Sequence, residues 1–306
     1  MRKRLRKGAI GAVLMAVVLV AAACGSGDDA DSGAKDGPTI TIGSANFSES
    51  ALVAEIYAQA LEADGYPVDR NLNVGSREIY WQALQTGDLG LLPEYTGALL
   101  TFLGGTSSSD GEATYDALVN AAAAVDVVVF APAPAQDKDG FAVTAETAEE
   151  LGAEKVSDLA EYNDTLILGA SPECPERPYC LLGLEDVYGL AFAEVKALDV
   201  GGPLTVAALE GGEIDVGQLF TSDGVIAAKG FVLLEDDKVL QPAQNVAPVL
   251  RKEIADAYGA DLRNRLDAVS EVLTTQELIL LNKAVGADGE DPETVATDWL
   301  AENNLT

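Results

Sequence analysis

The chain has 306 residues, of which 50 are Asp or Glu and 19 are Lys or Arg, giving a formal net charge of −31. A surface this acidic repels nucleic-acid phosphates and anionic lipid headgroups, so neither is expected as a partner. The sequence contains no histidine, which removes Ser-His-Asp and Cys-His catalysis and most catalytic zinc sites. No cofactor or metal is expected, and the length suffices for two domains of ordinary size.

Residues 1–23 read as an export signal. The basic start RKRLRK leads into an apolar run from Ala9 to Val20, and Ala21-Ala22-Ala23 precedes Cys24. The apolar run is short for a membrane span and has the flanks of a signal peptide. Small residues before a cysteine resemble the lipobox of bacterial lipoproteins, with Ala21 where leucine is commoner. Lipid attachment at Cys24 is therefore expected, in preference to a plain secretory cut. Residues 24–37 (CGSGDDADSGAKDG) read as a polar, flexible tether with no large apolar residue to bury.

Ordered structure is expected from Pro38. Ser48 predicts the N-cap of a helix running to about Asp64, with Leu52, Val53, Ile56, Tyr57, Ala60 and Leu61 at helical spacing and Gly65 to stop it. Val68–Val74 reads as a strand, Glu78–Thr86 as a helix, Leu89–Leu92 as a buried strand and Thr96–Leu103 as another helix. Ala113–Ala124 is predicted helical and Asp126–Phe130 extended. The Pro/Ala-rich stretch Ala131–Gly140 reads as a crossing between lobes. Strand–helix alternation resumes to about Leu240, Asn245–Leu250 returns the chain, and helices follow near Ala260–Ala268, Thr275–Val285 and Pro292–Asn303. The organisation is a first lobe of residues 38–138 and 245–306 and a second of residues 139–244, joined by two hinge crossings.

Two internal echoes support that division. ALQTGDLGLLPEYTG (83–97) returns as ALEGGEIDVGQLFTSDG (208–224), and TITIGS (39–44) returns as TLILGA (165–170). Each lobe thus opens with a short strand and later supplies a helix-Gly-acid-strand unit ending in an aromatic, Tyr95 or Phe220. Ligands in open α/β sheets sit beyond the carboxyl ends of strands. Two facing lobes would set these aromatics across a common cleft, with Asp88 and Glu213 merely following a helix-ending glycine.

Cys174 and Cys180 bracket Pro-Glu-Arg-Pro-Tyr. With Cys24 lipidated, only these two thiols remain, and export permits a disulfide. A metal site is the rival, but two cysteines without histidine supply few soft ligands. A disulfide would tighten the loop carrying Arg177 just after the second lobe's first strand.

GSANFSES, QALQTGDLGLLPEYTGALL, SPECPERPYC, VYGLAFAEVKAL, LFTSDG and LLEDDKVLQPAQNVAPVLR occur in register. Together they resemble the substrate-binding proteins of ABC importers for quaternary-ammonium solutes such as glycine betaine, choline and carnitine. The resemblance implies the two-lobed, type II-like periplasmic-binding-protein fold, a small solute and an ABC permease as partners, and a monomeric, lipid-anchored protein on the outer face of the cell membrane. It also implies a cation held against aromatic faces and a carboxylate held by arginine. Tyr95 matches a cage tyrosine, Arg177 the carboxylate-binding arginine and Phe220 a further cage position that lacks its usual hydroxyl. Ala45, Asn46 and Thr221 fall within the same binding motifs. Ala45 stands where the family often has lysine, Gln244 where it has the tyrosine of Pro-Pro-Tyr, and Asp139 near a further cage tyrosine. These departures put glycine betaine itself in doubt and make a larger or more polar betaine-like or cationic solute an equal candidate. An enzyme is the rival class, with Asp88, Glu94, Asp215 and Asp223 as imaginable acid/base groups, yet no nucleophile is paired with a base. A sensor using the same fold is a third.

Overall fold

The structure, a computed structural model, describes residues 35–199 and 201–306. The expected signal segment, the first part of the tether and Cys24 lie outside the described residues.

Among the described residues, ten strands follow in chain order: β1 (Ile40–Ala45), β2 (Val68–Gly75), β3 (Leu91–Tyr95), β4 (Val127–Val129), β5 (Asp139–Val143), β6 (Ile167–Ala170), β7 (Glu194–Ala197), β8 (Val216–Phe220), β9 (Val232–Leu233) and β10 (Val246–Arg251). They form two five-stranded sheets, ordered β2-β1-β3-β10-β4 and β7-β6-β8-β5-β9. Within the first, β1 runs parallel to β2 and β3, while β10 is antiparallel to β3 and β4. The second repeats the pattern, with β6 parallel to β7 and β8, and β5 antiparallel to β8 and β9. The sequence echoes are thus a structural repeat: TITIGS and TLILGA become β1 and β6, and the two longer copies contain β3 and β8. Each sheet takes one strand from chain that has just left the other lobe, β5 in one case and β10 in the other. The two incoming segments touch at an antiparallel bridge, Gln136 with Asn245.

Helices cover both faces of both sheets. In the first lobe, α1 (Ser48–Ala63) lies in one core, where Leu52, Val53, Ile56, Tyr57 and Leu61 are fully buried. Each such side chain contributes at most about 1.5–3 kcal/mol relative to exposure. The opposite face is covered by α2 (Arg77–Thr86), α3 (Thr96–Phe102) and α4 (Gly111–Ala123), through Trp81, Leu84, Leu99 and Leu118.

Three local expectations shift. Ser48 is not the N-cap of α1: the extended residue before the helix is Phe47, which makes no side-chain cap bond. The next strand begins at Leu91 rather than Leu89, because the N–H groups of both Gly87 and Leu89 are still bonded to the Ala83 carbonyl of the preceding helix. Gly87 ends that helix with φ of +93°, and Gly212 has φ of +65° at the matching place, so the repeated glycine serves a left-handed turn in both lobes. The helix expected near Ala260–Ala268 extends over Lys252–Val272, with a non-helical break at Gly259.

Candidate functional site

A cavity of about 640 Å³ lies between the two sheets, at the strand ends that carry the aromatic residues. Tyr95 closes β3 beside Val246, and Phe220 closes β8 beside Asp139. The two rings do not form separate opposed walls. Phe47, from the turn between β1 and α1, lies 6.0 Å from Tyr95 and 5.0 Å from Phe220 between ring centroids. The three make one aromatic wall that runs from lobe to lobe. A face of this kind attracts a cation that cannot donate hydrogen bonds.

Arg177 reaches the cavity from the loop between Cys174 and Cys180, which are disulfide-bonded with Cα atoms 5.2 Å apart. Inside that loop the Arg177 N–H donates to Cys174 O at 3.1 Å, and Cys180 N–H donates to Arg177 O at 3.1 Å. The backbone of Arg177 is held on both sides. Its Nη2 donates across the cleft to Glu78 Oε1, at 2.7 Å, in the first turn of α2. Nearby, the Tyr179 hydroxyl lies 2.6 Å from Ser107 Oγ of the first lobe. Burial opposes ionisation of Glu78, but its own backbone N–H, the Ser76 hydroxyl and the Arg177 and Arg77 charges outweigh it and hold the carboxyl below its usual range.

The second arginine in the lining, Arg77, is also paired. It grips Glu94 through Nε and Nη2, each 3.0 Å from a carboxylate oxygen, and Tyr80 adds a hydrogen bond to the same carboxylate at 2.7 Å. On the opposite side of the charge balance stand Asp137 and Asp139. Asp139 accepts one hydrogen bond, at 3.0 Å, from Gln218 Nε2. Burial raises its pKa, against the pull of Gln218 and the two arginines. Asp137 is 4% exposed; burial and the nearby Glu49 push its pKa well up. Among the described residues neither aspartate has a basic group within ion-pair distance.

Beneath the aromatic wall, Glu49 of α1 is 2% exposed. Its carboxyl accepts from the Tyr95 hydroxyl at 2.6 Å and from Asn282 Nδ2, and lies 2.5 Å from Ser222 Oγ of the second lobe. Ser222 Oγ is also 2.7 Å from Asp137 Oδ1. One hydroxyl proton cannot serve two ionised acceptors, so this geometry requires a proton on Glu49 or Asp137. Desolvation raises the pKa of both.

The other expected residues are distributed more widely. Ala45 and Gln244 line the cavity, but Gln244 Oε1 accepts the Ala98 N–H at 2.9 Å at the start of α3. Asn46 is exposed at its edge. Thr221 stands apart: its hydroxyl accepts the Lys138 N–H at 2.9 Å in the crossing segment, and it borders a separate cavity of about 320 Å³. The acids imagined as acid/base groups have structural partners. Glu94 holds Arg77, Asp215 accepts from Ile167 N, Asp223 from Phe220 N and Asp88 from Thr86 Oγ1.

Sequence reasoning missed Phe47, Glu49, Arg77, Glu78 and Asp137. Phe47 sat inside a motif already singled out, GSANFSES, directly after a strand ending and before a helix. Glu49 carried a signal as well: an acid in the first turn of a helix, just before the apolar run Ala51–Ala54.

Two α/β lobes joined by a double crossing, with an aromatic-lined cavity between them, define an extracytoplasmic-type solute-binding protein. Residues 38–302 match the family model described as the substrate binding domain of the ABC-type glycine betaine transport system, and the chain belongs to that family. It is 30% identical over 279 residues to a glycine-betaine-binding protein of Pseudomonas aeruginosa, covering 87% of this chain and 88% of that one. With the glycine betaine-binding protein YehZ of Escherichia coli it shares 27% identity over 87% of this chain and 91% of that one. Among solved structures, a glycine betaine/carnitine/choline ABC transporter protein superposes with a TM-score of 0.70 at 26% identity, over 87% of this chain and 99% of the other.

Proposed function

We propose that the protein captures one small quaternary-ammonium solute, of the choline or betaine type, in the cleft and delivers it unchanged to the permease of an ABC importer. The observation that carries this reading is the aromatic wall of Phe47, Tyr95 and Phe220 next to two acids, Asp137 and Asp139, that have no basic partner. A trimethylammonium head gains cation–π attraction from the rings and Coulombic attraction from whichever of the two acids is ionised, without leaving any donor unsatisfied. The glycine-betaine-binding relatives support the same class of ligand. Native mass spectrometry of the purified protein, followed by calorimetry with choline, glycine betaine and carnitine, tests it. Saturable binding of an onium solute is expected, and failure of all three to bind would overturn the reading.

Export and attachment by lipid at Cys24 belong to the same proposal, from the basic-apolar leader and the AAAC sequence. The anchored protein would act as a monomer. Cys24→Ser should release the mature protein from the membrane fraction, and its retention there would count against lipidation.

A further inference from the structure

We infer that Glu78 is a specificity-determining residue that occupies, from within the chain, the place beside Arg177 where a ligand's carboxylate would bind. Solutes with a quaternary-ammonium head and an uncharged tail are thereby favoured over those with a carboxylate tail. This rests on the quaternary-ammonium reading above and goes further by naming the tail.

The argument is one of charge balance in a partly desolvated cleft. A carboxylate-bearing ligand needs a cation whose charge is not already neutralised. Both arginines of the cavity have a partner. Arg77 is held by Glu94, whose side chain is 1% exposed, and cannot turn away without stranding a buried carboxylate. Arg177 meets Glu78 at 2.7 Å. Glu176 of the same loop and Glu173 just before it also line the cavity, and Asp137 and Asp139 lie there with no basic group within ion-pair distance among the described residues. A ligand carboxylate would enter a site already rich in acids and compete with Glu78 for one guanidinium. A hydroxyl tail meets no such competition and can bond to Arg177, Gln218 or Ser171, which all face the cavity.

Glu78 is a device for selection rather than an immovable block. The Arg177 and Glu78 side chains are 28% and 52% exposed, so their pair is of the weak, screened kind. Glu78 comes from the first lobe and Arg177 from the second, so the contact exists only while the lobes face each other as they do here. A solute that leaves it intact keeps a bond across the cleft mouth. One that displaces it loses that bond and leaves Glu78 facing the incoming anion.

The matched probes are choline and glycine betaine, which share the trimethylammonium head and differ in a hydroxyl against a carboxylate tail. Both are titrated calorimetrically into the full-length protein, its Glu78→Gln variant and its Glu78→Asp variant at neutral pH and low salt. The wild type is expected to prefer choline. Glu78→Gln should move the affinity ratio towards betaine by about five-fold, the equivalent of an ion pair worth ~1 kcal/mol. Glu78→Asp, which keeps the charge, should retain most of the wild-type ratio. The inference is overturned, with the quaternary-ammonium reading intact, if the wild type binds betaine at least as tightly as choline. It is equally overturned if Glu78→Gln leaves the ratio unmoved or moves it towards choline. If neither solute binds the wild type, this inference fails, and failure of carnitine as well overturns the underlying reading.

Discussion

The Tyr95 hydroxyl donates to Glu49 Oε1 at 2.6 Å, which ties the aromatic wall of the cavity to a carboxyl group sealed beneath it. Through Ser222 that carboxyl is also bonded to the second lobe. The state of the ring and the state of lobe closure are therefore coupled through one buried group, and the two can be separated by substitution.

Tyr95→Phe keeps the aromatic face and removes only the bond to Glu49, whereas Tyr95→Ala, Phe47→Ala and Phe220→Ala each remove a face. Each alanine variant should weaken onium binding by about 0.5–2 kcal/mol of cation–π attraction plus lost packing, or at least ~2- to 30-fold in Kd. Tyr95→Phe should cost less than Tyr95→Ala. Calorimetry with choline and tetramethylammonium measures both. Equal affinity in all three alanine variants and the wild type would place the cation elsewhere.

The proton between Glu49 and Asp137 makes the compact form pH-dependent, in a direction opposite to that of an ordinary ion-paired carboxylate. Both groups have raised pKa values in the folded protein, from usual values of 4.5 and 3.8, and burial pushes Asp223 up to about 7. Above the unfolded pKa the folded state binds more protons than the unfolded chain, so stability falls as pH rises through this window. The melting temperature should therefore rise on going from pH 7.5 to pH 5, by roughly 2–4 °C for each kcal/mol of linked stability. Lower net charge repulsion would act in the same direction, so the decisive comparison is Asp137→Asn, in which the rise should shrink. An identical rise in that variant would mean that the buried pair is not the source.

The fold and the site were legible in the sequence to different depths, and particular residues show why. Tyr95 and Phe220 could be found because each ends a strand in a repeated unit, and the repeat is a backbone property that one chain carries twice. The two-lobed α/β class followed from the same echoes. The Arg77–Glu94 and Arg177–Glu78 pairs had no such trace, since their partners are 17 and 99 residues apart and meet only through tertiary packing. Phe47 was hidden for another reason. A single aromatic in a turn reads as loop chemistry until the turn is known to open onto a cavity. Thr221 shows the reverse error: neighbouring Phe220 lines the cleft, but alternation along the backbone turns the threonine hydroxyl into the crossing segment.

Removing the disulfide should loosen Arg177 more than it unfolds the protein. Cys174 and Cys180 are six residues apart, so the loop-entropy relation gives a contribution near the low end, about 2 kcal/mol. The Cys174→Ser/Cys180→Ser double variant should lose about that much in urea unfolding. In the wild type, thiol labelling after denaturation without reductant should find both sulfurs blocked, and free thiols there would refute the bond.

Gly97 marks a tight approach between α3 and the returning crossing segment. A Cβ on Gly97 would come within 2.5 Å of the Ala243 carbonyl oxygen and 2.9 Å of Pro242 Cγ. Gly97→Ala should destabilise the protein by about 1–3 kcal/mol through overpacking. Gly286→Ala, where an added Cβ meets nothing within 4 Å, serves as the control. Equal denaturation midpoints for the two would show that the crossing segment yields freely.

The contact between Gln136 and Asn245, where the two crossing segments pair, acts as the fulcrum of a lever with arms of unequal length. Asp139 lies three residues from it in sequence, and Tyr95 pairs with Val246, the residue after Asn245. The aromatic wall thus lies close to the fulcrum, where a rotation of the lobes displaces atoms least. The Arg177–Glu78 and Tyr179–Ser107 contacts join loops and helices that are not part of the crossing, so the same rotation opens them further. A solute entering the parted lobes would meet a cation seat already near its final shape, while the distal contacts form afterwards. Substitutions near the fulcrum should then alter how often an encounter succeeds, and those at the far end how long the captured solute stays.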